Sequence, residues 1–408
     1  MFLLLVGFAE LAAQAIYFVG YGALYSARDL PALAVLRQLP AVAELERGNL
    51  PRRSRENVLH PFLGYVHRAD ERTSGSHGFP NLDNPLRRRE EGKRIIGVFG
   101  GSVAEQLAPY IERAFSDDAV ETEVLNLAIG GYKQPQQLLA LSYLTALGAE
   151  FDVVVNVDGF NELALSIDEN HRNGVYPFFP RAWGARVGIE KSSRNMVLAG
   201  KIKFLRDHEQ ELYRRIESDS LRWSAIYGLF RRYQLARLLS EIDRAHARLL
   251  ESKDAQYDFE RSGPAYGPVG FQELLTDIAD SWRASSVTMQ AVANAAGADY
   301  HHFLQPNQYL PGSKTLTDAE RSLPNHPREG YARIVSLGYP LLIEHGAELA
   351  GRGVLFHDTS KIFADRPETI YRDACCHYNE LGNEILAAFI HDRIVERSQE
   401  GSGLTFRQ

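Results

Sequence analysis

Cysteine is nearly absent: there are two in 408 residues, side by side at Cys375 and Cys376. An adjacent pair is neither a disulfide framework nor the spaced pairs of a zinc site, and it says little about redox compartment. The 13 histidines include no His-Glu-x-x-His pattern, so no metal or organic cofactor is expected. No strongly basic tract dominates a chain of net charge -7 and pI near 6.0, which argues against nucleic acid as a partner. Internal repeats and low-complexity tracts are missing too. What remains is a chain that is 45% hydrophobic and 24% charged. It can bury a large core and is longer than one ordinary domain.

The first 26 residues are almost wholly apolar, with Glu10 as the one ionisable side chain apart from tyrosines. Their length suffices for a bilayer span, and a basic n-region of the signal-peptide kind is missing. An uncleaved transmembrane anchor is therefore expected over 1–26, with a signal peptide or a buried helix as alternatives. Arg28, Arg37, Arg47, Arg52, Arg53 and Arg55 follow it, which by the positive-inside rule would leave the body in the cytoplasm. Residues 27–93 read as a linker and N-terminal extension, with Pro31, Pro40, Pro51 and Pro61 and a short ordered strand or turn at 60–66.

From residue 94 the pattern alternates. Apolar runs at 94–100, 120–127, 151–157, 298–304 and 354–357 read as strands. Helical spacing appears at about 103–116, 134–149, 271–296, 326–349 and 378–395. Such alternation implies an α/β domain, 94–400, whose parallel sheet is covered on both faces. The rhythm breaks over 163–270. That insertion is expected to be a charged helical hairpin with an apolar stripe, packed on the body or serving as a lid.

The chemistry gathers at four places. Arg94–Gly100 is a buried strand that stops at Gly100-Gly101, and Ser102 follows where open α/β sheets place their ligand crevice. The second is Asn126-Leu127-Ala128-Ile129-Gly130-Gly131-Tyr132. The third is Asp158-Gly159-Phe160-Asn161-Glu162. The last is Asp373-Ala374-Cys375-Cys376-His377, just before the closing helix. Acyl transfer needs a nucleophile, a base, an orienter for the base and donors for an oxyanion. Ser102, His377 and Asp373 can fill the first three roles. The N–H groups of Ser102 and Gly131 and the Asn161 amide can hold the oxyanion. Each piece also has a plainer reading: a phosphate-cradling turn or helix cap at Ser102, a strand end at Gly130-Gly131, a cap at Asn161, a surface His377.

In this order the four stretches resemble the SGNH hydrolases, the GDSL-like lipase and esterase family. Gly-Gly-Ser at 100–102 stands for Gly-Asp-Ser, Gly131 matches the second block, Gly-Phe-Asn-Glu at 159–162 the third, and His377 the last. The resemblance covers roughly 94–162 and 354–397. It implies a flavodoxin-like α/β/α sandwich with a parallel sheet, here with a helical insertion and an N-terminal anchor helix. One departure stands out. The family places its Asp three residues before the His; that position is Ala374, and Asp373 is one further back. Asp358, or a Ser-His dyad helped by a carbonyl, could replace it.

The resemblance implies a membrane-anchored serine esterase or O-deacetylase acting through an acyl-serine on a small-molecule, carbohydrate or lipid ester. An O-acyltransferase of cell-surface polysaccharide and an inactive membrane-tethered binding module are the alternatives. Anchored relatives of this type imply an extracytoplasmic body, against the direction of the arginines.

Overall fold

A computed structural model describes residues 2–21, 24–26, 57–68, 76–79, 82–187, 193–250, 259–267, 270–323 and 330–404. Most of the expected linker, including the basic stretch 51–55, and the start of the helix expected from 326 lie outside the described residues. In chain order the strands are β1 (Asn57–His60), β2 (Gly64–His67), β3 (Lys93–Gly100), β4 (Glu121–Asn126), β5 (Val153–Asp158), β6 (Asp299–Leu304) and β7 (Leu355–Asp358). The helices used below are α1 (Phe2–Tyr21), α2 (Ser102–Ala114), α3 (Gln136–Ala146), α4 (Phe160–Leu165), α5 (Ser193–Ser218), α6 (Ala225–Leu250), α7 (Phe271–Ala295), α8 (Gly330–Gly351) and α9 (Glu380–Leu404). The chain divides into two compact units: Met1–Leu50 with Val187–Arg261, and Pro51–Arg186 with Ser262–Gln408.

The second unit is the α/β body. Its five strands are parallel, in the order β4-β3-β5-β6-β7. Counting only these strands, that is 2-1-3-4-5, the flavodoxin-type order. Every residue of β5 is buried, as expected of a central parallel strand with both faces covered. Helices α2 and α9 pack together, while α7 packs against both α3 and α8. The chain leaves β3 for β4 and then returns past β3 to β5. This reversal opens a crevice at the carboxyl ends of β3 and β5, where Gly100 lies opposite Val157. The ordered piece expected at 60–66 is the turn and second strand of an antiparallel hairpin, β1–β2.

The insertion begins later than its sequence suggests. Residues 163–186 belong to the α/β unit. Helix α4 runs on through a wider π-type turn, Ser166–Asn170, all of it buried. A segment so enclosed is part of the body even though Asp168, Glu169 and Asn170 give it a loop-like composition.

The first unit holds the helical hairpin, α5 packed along α6, and α1 packed on α6. Ala13 and Tyr17 of α1 are buried with Leu212, Ile216, Ala225 and Leu235. Glu10 accepts hydrogen bonds from the Ala225 N–H and the Ser224 hydroxyl, so it caps the start of α6. Gln14 accepts from the Tyr25 N–H at 2.9 Å. The transmembrane anchor expected over 1–26 is not supported: among the described residues no helix is long and apolar enough to cross a membrane. The two polar side chains that would be costly in a bilayer are instead satisfied by neighbouring N–H groups and the Ser224 hydroxyl.

Beside the sheet edge, His301 Nδ1 lies 3.2 Å from His357 Nε2. Burial first, then the positive charge of neighbouring groups, lowers His301 to about 3 and His357 to about 4, from an ordinary 6.5. Both are neutral in either state above pH 6.5. Below it the unfolded chain takes up protons that the folded one refuses, so stability falls as pH drops from 6.5 toward 4 and then 3. A tenfold difference in proton affinity between the two states is worth about 1.4 kcal/mol. Urea midpoints should therefore decline over that window, and His357→Phe should flatten part of the decline.

Candidate active site

The end of β3 presents Ser102 as the first residue of α2. Its Oγ lies 2.8 Å from His377 Nε2, and His377 Nδ1 lies 2.5 Å from Asp373 Oδ2. An ionised Asp373 accepts from Nδ1–H, which leaves Nε2 to accept the Ser102 hydroxyl proton. Burial works to raise the Asp373 carboxyl. The hydrogen bond from His377 and those from the backbone of Cys375 and Cys376 overcome it and hold the group well below the usual carboxylate range.

The one-residue offset of Asp373 has a local cause. Its Oδ1 accepts the N–H groups of Cys375 (2.9 Å), Cys376 (3.1 Å) and His377 (3.4 Å). The turn winds around one oxygen and leaves the other for the imidazole. The alternative orienter, Asp358, instead accepts from the Ser360 N–H at 2.9 Å.

Three further groups adjoin Ser102. Asn161 donates through Nδ2 to the Tyr132 carbonyl at 2.8 Å. A Cβ on Gly101 would sit 2.1 Å from that same Nδ2, so only glycine lets the Asn161 amide lie against the nucleophile turn. Gly131 has φ +86, which favours glycine, and its N–H has no protein acceptor among the described residues. The preceding Gly130 N–H is occupied by Glu105 Oε2 at 2.6 Å. The four sequence stretches thus meet at one edge of the sheet, with a hydroxyl, an imidazole, a carboxylate and N–H donors in reach of one another.

No family model matches the chain, and neither does any curated protein. Among the solved structures similar to it are a GDSL-like lipase from Bacteroides thetaiotaomicron VPI-5482 and a proposed acylhydrolase from Bacteroides fragilis NCTC 9343. Each is 11% identical to the chain, with a TM-score of 0.35 and coverage of 76% of this chain and 91% of its own.

The supporting roles of several residues escaped the sequence reading. Glu105 stands one helical turn after Ser102. Glu162 follows Asn161 and accepts from the Gly159 N–H (2.8 Å), the Gln134 N–H (3.1 Å) and the Gln137 amide (3.0 Å). It ties the Asn161 block to the Gly131 block. Burial, then the Asp158 charge, pushes its carboxyl up to about 8. The spacing of Gly159 and Glu162 is half of a capping box, the one local signal that could have flagged it. Tyr65 donates to the Gly130 carbonyl at 3.0 Å, and Arg181, paired bidentately with buried Glu169, crosses the face of Gly131. Glu320 pairs with Lys314 at 2.9 Å and accepts the N–H groups of Ile370 and Tyr371. That fixes the loop leading into Asp373.

Two other clusters have chemistry of the right type. Ser286 Oγ lies 2.8 Å from His302 Nδ1, and His302 Nε2 lies 2.8 Å from Asp158 Oδ1. All three residues are buried, so no substrate reaches them, and Trp282 also donates to Asp158. Cys375, Cys376 and His377 place potential metal-ligating atoms within 4.8 Å of one another. Both His377 nitrogens already face Asp373 and Ser102, so ligation there would break that chain.

Removing Glu162 leaves three donors facing a cavity, each worth about 1–3 kcal/mol when unpaired. Glu162→Ala should lower the unfolding free energy by at least roughly 2 kcal/mol in urea titrations.

Proposed function

We propose that the protein is a serine hydrolase acting on carboxylic esters through an acyl-serine. The observation that carries this reading is the unbroken chain Ser102–His377–Asp373 at the mouth of the sheet crevice, beside the Gly131 N–H and the Asn161 amide. As Ser102 Oγ attacks the ester carbonyl, its proton passes to His377 Nε2. The carbonyl electron pair moves onto oxygen, where the N–H groups of Ser102 and Gly131 and the second amide hydrogen of Asn161 receive the charge. Collapse breaks the bond to the alcohol, which leaves with the proton from His377. Water, deprotonated by His377, then attacks the acyl-serine and releases the acid. A sugar hydroxyl in place of water would turn the same intermediate into an acyl transfer.

Asp373 holds the imidazole in the tautomer this sequence requires and stabilises the imidazolium. The esters in view are small acyl groups on an alcohol, a carbohydrate or a lipid.

A fluorophosphonate should label the wild type on Ser102 and leave Ser102→Ala and His377→Ala unlabelled. Failure to label a well-folded wild type would overturn the reading. Asp373→Asn should lower kcat on a short-chain nitrophenyl ester by about 10³–10⁴-fold, measured by steady-state hydrolysis.

A further inference from the structure

Among the described residues, most of the exposed large apolar side chains belong to the helical unit. One face of α1 is turned to Glu10, Ala13, Gln14 and Tyr17, the residues that meet α6 and its neighbours. The opposite face, at helical spacing, reads Phe8, Leu11, Ala12, Ala15, Phe18 and Val19. It contains no hydrogen-bonding side chain, and its large residues are 53 to 86% exposed. A second strip lies on α6 and the turn before it, where Leu221, Trp223, Ile226, Phe230 and Tyr233 are exposed. A helix that is apolar away from its packing partner belongs against a further apolar phase.

Charge distinguishes the possible occupants. Residues 2–26 and 193–250 hold twelve Lys and Arg against eight Asp and Glu, in a chain whose net charge is -7. Arginines sit among the exposed rings: Arg222 lies over Trp223 at 5.2 Å from the ring centroid, while Arg231, over Phe230 at 5.9 Å, is paired with Asp219 at 3.8 Å. A second copy docked symmetrically on this strip would set like arginines against each other. Anionic headgroups over hydrocarbon match both components, with aromatic rings at the boundary and guanidinium groups reaching the phosphates.

We propose that this helical unit lies on an anionic lipid bilayer, with the outer face of α1 and the Trp223–Tyr233 strip seated in the headgroup and acyl boundary. The unit rests on the surface rather than spanning it. The proposal does not depend on the hydrolase reading.

The test uses the full chain in gradient flotation with phosphatidylcholine vesicles and with phosphatidylcholine/phosphatidylglycerol vesicles, at low and high salt. Binding should require phosphatidylglycerol, weaken with salt and shift the emission of exposed Trp223 to the blue. Phe230→Glu with Tyr233→Glu should weaken it at least about tenfold. Arg222→Gln, and Arg237→Gln at an exposed position of α6 four residues after Tyr233, should each weaken it about fivefold. Circular dichroism and hydrolysis of a soluble ester should not change in these variants. No flotation, equal binding to neutral vesicles, or a dimer in size-exclusion chromatography that the same substitutions dissociate would each overturn it.

Discussion

The parallel pairing of β3 with β5 carries the rest of the site. Gly100 stands opposite Val157, so Ser102 and Asn161, each a few residues past its strand, emerge side by side. A slip of one residue would turn the side chains of either strand to the other face. It would also separate the Asn161 amide from the space above Gly101. The crevice exists because the chain reverses its direction of travel across the sheet at this pair. The hairpin β1–β2 reinforces it from outside: Tyr132 donates to the Tyr65 carbonyl at 2.6 Å, and Tyr65 donates to Gly130.

The imidazole comes from the far end of the sequence and is held differently. No strand positions it. Glu320 fixes the backbone at 370 and 371, Gln308 and Tyr309 donate to the carbonyls of Asp373 and Ala374, and Tyr371 bridges to Tyr378. This loop is secured by polar contacts made to its backbone. Burial tends to raise the Glu320 carboxyl, but Lys314 and the N–H groups of Thr317, Ile370 and Tyr371 prevail and hold it at about 2.

The α/β order was legible because each strand is an apolar run closed by glycine or a polar turn, and each helix repeats at helical spacing. The strands fall within a residue or two of their expected bounds. The positions of Ser102, Asn161 and His377 were legible for the same reason: they adjoin elements whose ends are marked, the first two just past strands and His377 just before the closing helix. The offset of Asp373 was visible but its cause was not, since that depends on backbone N–H groups winding around a carboxylate. Residues 163–170 misled because their acids look solvent-exposed in composition, while tertiary partners such as Arg181 neutralise them in the interior. The first helix misled because counting apolar residues cannot reveal that Glu10 caps a helix more than 200 residues away in sequence.

The sealed chain Ser286–His302–Asp158 has heavy-atom spacings close to those of Ser102–His377–Asp373. Both lie in one polypeptide and under one solvent condition. They differ in which imidazole nitrogen meets the serine, in access, and in whether N–H donors await an oxyanion. The molecule therefore contains an internal comparison: a difference in reactivity between the two serines measures what the choice of imidazole nitrogen, exposure and preorganised donors together add to a hydroxyl, an imidazole and a carboxylate already in line.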